Sequence, residues 1–201
     1  MNYREHVVEV ATSFLNRYVS EKSHEFIVEI YNSVKPHPRG YKLKSNDPWC
    51  AAFITAVGYE CGYKDYIFPE CGCFEMMKKY KQADAWKIDN PLPGDIVMLD
   101  WDKNGVANHT GIVVSRSDNY ITVIEGNANN AVRQVSYRIN NPCIMGYCAP
   151  KYPAEKTDDD IAFEWAVNNG LMTGMKRGDS VTYEKLALVI NRYNKLIGKE
   201  K

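Results

Sequence analysis

The sequence carries no surplus of charge of either sign: 25 Lys plus Arg stand against 25 Asp plus Glu in 201 residues. Proteins that hold nucleic acid or anionic membranes electrostatically show a basic excess, because each phosphate contact releases counterions. The balance holds on both sides of Tyr152, with 17 basic and 17 acidic residues up to that point and 8 of each after it. Long apolar runs are missing too; none approaches the roughly 20 residues that a membrane-spanning helix needs. The first residues, Met1-Asn2-Tyr3-Arg4-Glu5-His6, enter a charged amphipathic pattern directly, without the apolar stretch and small-residue cleavage site of a secretory signal. The expectation is a protein made in a cytosol, with no nucleic-acid partner and no membrane insertion. Cysteine is scarce: six residues, at 50, 61, 71, 73, 143 and 148, are too few for a disulfide-stapled scaffold and lack paired Cys-x-x-Cys spacing. Cys71-Gly72-Cys73 is a tight pair, but one intervening residue and no nearby His make a poor zinc site. No metal and no cofactor are expected, and Cys61, Cys71, Cys73, Cys143 and Cys148 read as core or surface thiols.

What is present is an ordinary globular composition, 45% hydrophobic and 25% charged, long enough for a domain of about 150 residues plus a small module. Val7, Val8, Ala11, Phe14, Leu15 and Tyr18 recur at helical spacing, as do Phe26, Ile27, Ile30, Tyr31 and Val34. Pro36, Pro38 and Gly40 end that second helix. Asp47 suits an N-cap and Pro48 a first helical position, so a helix is expected from Asp47-Pro48, with Cys50 in its first turn. Another helical segment spans Phe74 to Lys81. Beyond it, Asp95–Trp101, His109–Ser115, Tyr120–Glu125, Val132–Arg138 and Ile144–Ala149 are short runs rich in Val, Ile and Tyr between Gly, Asn and Asp turns, the pattern of antiparallel strands. Helices first and strands afterwards predict an α+β domain over residues 1–152. Residues 153–201 read as a linker and a small helical module with a Gly-rich turn.

A cysteine acts as a nucleophile only as a thiolate, and the first turn of a helix favours that anion through unpaired N–H groups and the macrodipole. Cys50 meets this condition. Lys35, Arg39, Lys42 and Lys44 precede it with no acid between positions 30 and 46, which predicts a positive field at the thiol. A base and a group to orient it are also required. His109 opens one predicted strand and Glu125 closes the next, so antiparallel pairing brings them to the same end of the sheet. Asn127 lies two residues beyond Glu125. His6 and His24 read as solvated helix positions and His37 as a turn residue. Tyr41, Trp49 and Trp101 are candidate walls of a substrate groove.

Trp49-Cys50-Ala51-Ala52-Phe53, Pro93-Gly94-Asp95-Ile96-Val97, His109-Thr110-Gly111-Ile112-Val113 and Glu125-Gly126-Asn127, in that order, resemble the CHAP domain, a papain-like cysteine amidohydrolase related to the NlpC/P60 peptidases. The resemblance covers roughly residues 20–152. It implies hydrolysis of amide bonds in bacterial peptidoglycan, as in phage endolysins. Cys50 is then the nucleophile, His109 the general base and later acid, Glu125 the orienting carboxylate and Asn127 an auxiliary polar group. The N–H of Cys50 is the natural first oxyanion donor. Some relatives carry a calcium loop before the cysteine; Lys42-Leu43-Lys44-Ser45-Asn46-Asp47 offers one acid, too few for a hard cation.

In the tail, Phe163-Glu164-Trp165-Ala166, Asn169-Gly170-Leu171, Thr173-Gly174, Gly178-Asp179 and Thr182-Tyr183-Glu184-Lys185-Leu186-Ala187 resemble a single S-layer homology motif. That implies binding to wall polymers or homo-oligomerisation through the module. The expected protein is an endolysin, synthesised in the bacterial host cytoplasm and acting at the cell wall after release, as an N-acetylmuramoyl-L-alanine amidase or an endopeptidase. Two alternatives stand beside it: a non-catalytic wall-binding protein, and a cytosolic amidase on a small peptide conjugate.

Overall fold

Why the residues around the candidate nucleophile form a buried helix is plain from their composition. Cys50–Glu60 (α3) reads CAAFITAVGYE, apolar on all sides, and residues 50–58 are all buried. A helix with no polar face has to be enclosed on every side. The enclosure comes from Tyr3–Arg17 (α1), Ser23–Ser33 (α2), Cys73–Gln82 (α4) and a six-stranded sheet. In this computed structural model the described residues are 2–17 and 23–153 and, further on, 166–167, 170–172, 186, 188–190 and 192–193.

The chain divides into two units, Met1–Pro153 and Ala154–Lys201. The strands of the first are Trp86–Lys87 (β1), Ile96–Leu99 (β2), His109–Arg116 (β3), Tyr120–Glu125 (β4), Arg133–Arg138 (β5) and Ile144–Cys148 (β6). They form one sheet in the order β1-β6-β2-β3-β4-β5, antiparallel at every pairing. This is the α+β class expected from the sequence. In the second unit, Arg192 Nη1 donates to the Leu171 carbonyl at 3.1 Å. Of the helices expected there, residues 166–167, 186, 188–190 and 192–193 are described and are helical; the rest of them, and most of the S-layer-like residues, lie outside the described residues.

The principal core gathers Val7, Ala11 and Phe14 of α1, Ile27 and Tyr31 of α2, the whole inner length of α3, Met76 and Tyr80 of α4, and Ile96, Met98, Ile112 and Ile124 of the sheet. Phe14 meets Phe53 edge-on, with centroids 5.7 Å apart. Val97, Leu99, Val113, Ile121, Val123 and Tyr147 form a second cluster, with Tyr137, Ile139 and Ile144 packed against it. Strand alternation thus sends successive residues into two apolar layers. The buried Asp95 at the start of β2 is paired twice, with Arg4 of α1 at 2.8 Å and Lys87 of β1 at 2.6 Å, and it accepts the Leu92 N–H. This pairing fastens the first helix to the sheet and satisfies a carboxylate that burial alone would penalise.

Three local expectations change. Helix α3 begins at Cys50 with Trp49 as its N-cap, two residues after the predicted Pro48 start. Asp47 is used elsewhere: its Oδ2 accepts from Lys44 N and from the Tyr41 hydroxyl, both at 2.8 Å, closing a turn before the helix. Strand β1 was not legible, because a two-residue run carries no periodicity. Trp49, expected in a groove wall, is 2% exposed and belongs to the core.

Helix α3 approaches the end of β4 closely because residue 126 has no side chain. A Cβ on Gly126 would collide with Phe53 Cβ and come within 2.9 Å of Trp49 Cζ3. Both neighbours are buried and cannot turn away, so Gly126→Ala should lower unfolding stability by about 1–3 kcal/mol, the usual cost of overpacking. A urea titration measures this; an unchanged midpoint would mean that α3 has slack against the sheet.

Candidate active site

Three elements converge on the Cys50 sulfur. Cys50 is the first residue of α3, where N–H groups have no helical partner; the Ala51 N–H points to its thiol. His109 is the first residue of β3 and hydrogen-bonds Cys50. Its Nε2 lies 2.9 Å from Glu125 Oε2, which leaves Nδ1 for the sulfur. Glu125 is the last residue of β4 and is 2% exposed. Ile112 pairs with Ile124, so the next position sets Gly111 opposite Glu125. A Cβ on Gly111 would lie 2.7 Å from Glu125 Cγ. The missing side chain at 111 is the space over which Glu125 leans back to His109.

The fourth group is Cys73, the first residue of α4. Its Sγ lies 3.3 Å from Cys50 Sγ across 23 residues of sequence. The segment before α4 is fastened to α3 itself: Thr55 Oγ1 donates to the Glu70 carbonyl at 2.6 Å and accepts the Glu70 N–H at 2.8 Å. The Glu70 carboxylate is fully buried and binds Arg39, Lys79 and the Cys71 N–H. From sequence, Cys73 reads as a core or surface thiol. A signal existed in Cys71-Gly72-Cys73, but only the Thr55–Glu70 clamp brings that segment to Cys50.

Electrostatics follow from these contacts. The hydrogen bond from Cys73 is the largest influence on Cys50; with His109 and the Ala51 N–H it outweighs burial and lowers the thiol pKa to about 5. Cys73 is pushed the other way by the neighbouring thiolate and by burial, so it stays protonated and donates. Burial disfavours charge on His109, yet its bonds to Cys50 and Glu125 prevail and raise its pKa to about 9. Between those values the site holds a thiolate and an imidazolium. The positive field expected from Lys35, Lys42 and Lys44 is not what lowers the thiol; all three are exposed, and none is among the causes. Arg39 does line the groove, but it is paired with Glu70.

The open face is a groove of about 380 Å³ lined by Arg39, Tyr41, Asp47, Cys50, Cys73 and Asn108, among others. Tyr41 is 40% exposed on its wall. Trp101, 43% exposed, sits 6.4 Å ring to ring from His109 and 5.7 Å from Tyr137. The loop carrying Trp101 is stitched internally: Asp100 accepts Gly105 N–H, Asn108 Oδ1 accepts Trp101 N–H, and Asn108 Nδ2 donates to Asp102. Tyr137 was not foreseen; burial and the adjacent Glu125 carboxylate raise its hydroxyl pKa and keep it protonated. Asn127 lies apart from the dyad. It has positive φ and lines a separate depression with Trp49 and Asn130, and among the described residues it hydrogen-bonds neither His109 nor Glu125. His37 faces the Val34 carbonyl, away from this groove. No cluster of three metal-ligating side chains occurs among the described residues.

The family model described as CHAP domain matches residues 41–127, a span containing Cys50, Cys73, His109, Glu125 and Asn127. That family consists of peptidoglycan amidase and endopeptidase-type hydrolases, generally cysteine- and histidine-dependent amidohydrolases. No curated protein matches the sequence. Among solved structures, the crystal structure of Ly7917 is similar at 14% identity with a TM-score of 0.37, the match covering 51% of this chain and 53% of that one. The match therefore spans about half the length of that protein.

Ionisation of the pair sets the pH response. Catalysis by this pair would need Cys50 deprotonated and His109 protonated, so the kcat/KM it supports should fall below a limb near pH 5 and above one near pH 9. Glu125→Gln removes a carboxylate that favours the imidazolium, and the alkaline limb should move to lower pH. A pH–rate profile of both proteins measures this; an unmoved alkaline limb would dissociate Glu125 from His109.

Proposed function

We propose that the chain is a peptidoglycan hydrolase of the endolysin type, cleaving wall amide bonds as an N-acetylmuramoyl-L-alanine amidase or a peptidoglycan endopeptidase. The observation that carries this reading is the alignment of Cys50, which lines an open groove, with His109 and Glu125 behind it, inside the segment matching the CHAP domain.

The steps follow from the side chains. The Cys50 thiolate attacks the carbonyl carbon of an amide lying in the groove. Negative charge moves to the carbonyl oxygen, which the unpaired N–H of Cys50 at the start of α3 can receive. His109, already protonated, gives its proton to the departing amine, leaving an acyl-thioester on Cys50. Neutral His109 then takes a proton from water, which attacks the thioester and restores the thiolate. Glu125 keeps the ring oriented and stabilises its charged form in both halves. Arg39 and Asp47 place opposite charges on the groove wall, suited to a peptide with free carboxylate and amino groups. Tyr41 and Trp101 supply flat exposed surfaces beside it. The C-terminal module contributes wall-polymer contacts or self-association; with balanced charge in each part, residence on the wall depends on specific contacts more than on general attraction.

The test uses purified walls. Wild-type protein should clear the suspension and release new amino groups, and Cys50→Ala should do neither while keeping its far-ultraviolet dichroism. Clearing that persists in the Cys50→Ala variant sinks the assignment. Mass spectrometry of the fragments then assigns the bond: stem peptides freed from muramic acid identify an amidase, and amines released inside the stem or cross-bridge identify an endopeptidase.

A further inference from the structure

We propose that Cys50 and Cys73 form a reversible disulfide, so that the groove is also a site of oxidation by peroxides and of reduction by dithiols. The effect on hydrolysis rests on the function proposed above; the disulfide itself does not.

The geometry brings together two helix starts. Cys50 and Cys73 are the first residues of α3 and α4, their sulfurs are 3.3 Å apart, and both line the same open groove. A disulfide requires a separation of about 2.05 Å, so closing the bond takes an approach of roughly 1.2 Å, within reach of side-chain rotation. The residues are 5% and 7% exposed, enough for a small oxidant entering by the groove and little for a bulky thiol. Four other cysteines are free, and among the described residues Cys73 alone of the cysteines hydrogen-bonds the Cys50 sulfur. The nearest in sequence to Cys73, Cys71, instead receives a hydrogen bond from Arg39 at 3.4 Å.

The chemistry balances in two steps. The Cys50 thiolate attacks one oxygen of a hydroperoxide, an S–O bond forms, the O–O bond breaks, and the departing oxide takes a proton to leave as water or alcohol; Cys50 becomes a sulfenic acid. That step removes the negative charge which had held the Cys73 proton in place. Cys73 then loses its proton and attacks the Cys50 sulfur; an S–S bond forms, the S–O bond breaks, and hydroxide leaves with that proton as water. Two thiols have given two electrons to one peroxide. A dithiol returns them by exchange, becoming a cyclic disulfide itself. While the bond exists the hydrolase has no nucleophile. Capture by Cys73 also halts oxidation at a recoverable stage, before the sulfinic acid that dithiols do not reduce.

The experiment treats the full-length reduced protein with hydrogen peroxide, blocks remaining thiols by alkylation and maps the peptides by mass spectrometry. The expected product joins the Cys50 and Cys73 peptides at a mass two hydrogens below their sum, and dithiothreitol returns both thiols together with wall hydrolysis. In Cys73→Ser the linked peptide should vanish, and excess peroxide should leave Cys50 as a sulfinic acid that dithiothreitol does not rescue. Wild-type Cys50 recovered as a free thiol, as sulfinic acid or joined to Cys71 overturns the proposal. Reduced protein that releases no amino groups from walls would instead refute the hydrolase reading, and the peptide map would still decide the disulfide.

Discussion

The site depends on how closely helix α3 lies against the ends of β3 and β4. Two glycines set that distance. At 126 a side chain would occupy the volume of Phe53, and at 111 it would occupy the volume through which Glu125 reaches His109. The helix start, the strand start and the strand end therefore share one small region with no intervening atoms. In a close-packed interior, a shift of a few tenths of an ångström is passed to every neighbour. The distance between thiol and imidazole is accordingly a property of core packing as much as of the two side chains.

Charge completes what packing begins. Glu125 is a buried carboxylate whose Oε2 is committed to His109 and which has the Tyr137 hydroxyl beside it. The hydrogen bond to this carboxylate, together with the one to Cys50, raises the His109 pKa against the effect of burial. The imidazolium in turn favours the thiolate, and Cys73 adds a neutral donor from the opposite side. Cys50 and His109 each favour the charged form of the other. Glu70 does comparable work at one remove, holding Arg39 and Lys79 and fixing the segment that delivers Cys73.

How much of this was legible in the sequence depended on range. The long periodic runs gave α1, α2 and α4, and alternation gave β2 to β6, because those signals are local. The α3 start was misplaced by two residues because Asp47 and Pro48 satisfy a capping pattern, while Tyr41 and Lys44 claim the Asp47 carboxylate first. Trp49 read as a groove residue from its place beside Cys50, but its ring is needed in the core above Gly126. His109 and Glu125 could be brought together from sequence because antiparallel pairing is a strict rule of register. Cys73 could not, since its position follows from a hydroxyl at Thr55 and a carboxylate at Glu70, and no pattern in the chain announces that clamp. The lysines before Cys50 failed for the opposite reason: proximity in sequence suggested a field that exposed side chains, screened by solvent, do not deliver.

The enclosure of α3 bears on how the protein loses its activity. Elements that open by local fluctuation are those with few buried contacts, and regions buried on every side open only with the whole domain. Residues 50–58 belong to the second kind. Cys50 thus opens a helix whose internal hydrogen bonds, beyond its first turn, should exchange with solvent only through global unfolding. Heat or denaturant should not produce a population folded elsewhere and frayed along this helix; with the thiols reduced, the fraction with an intact site tracks the fraction folded.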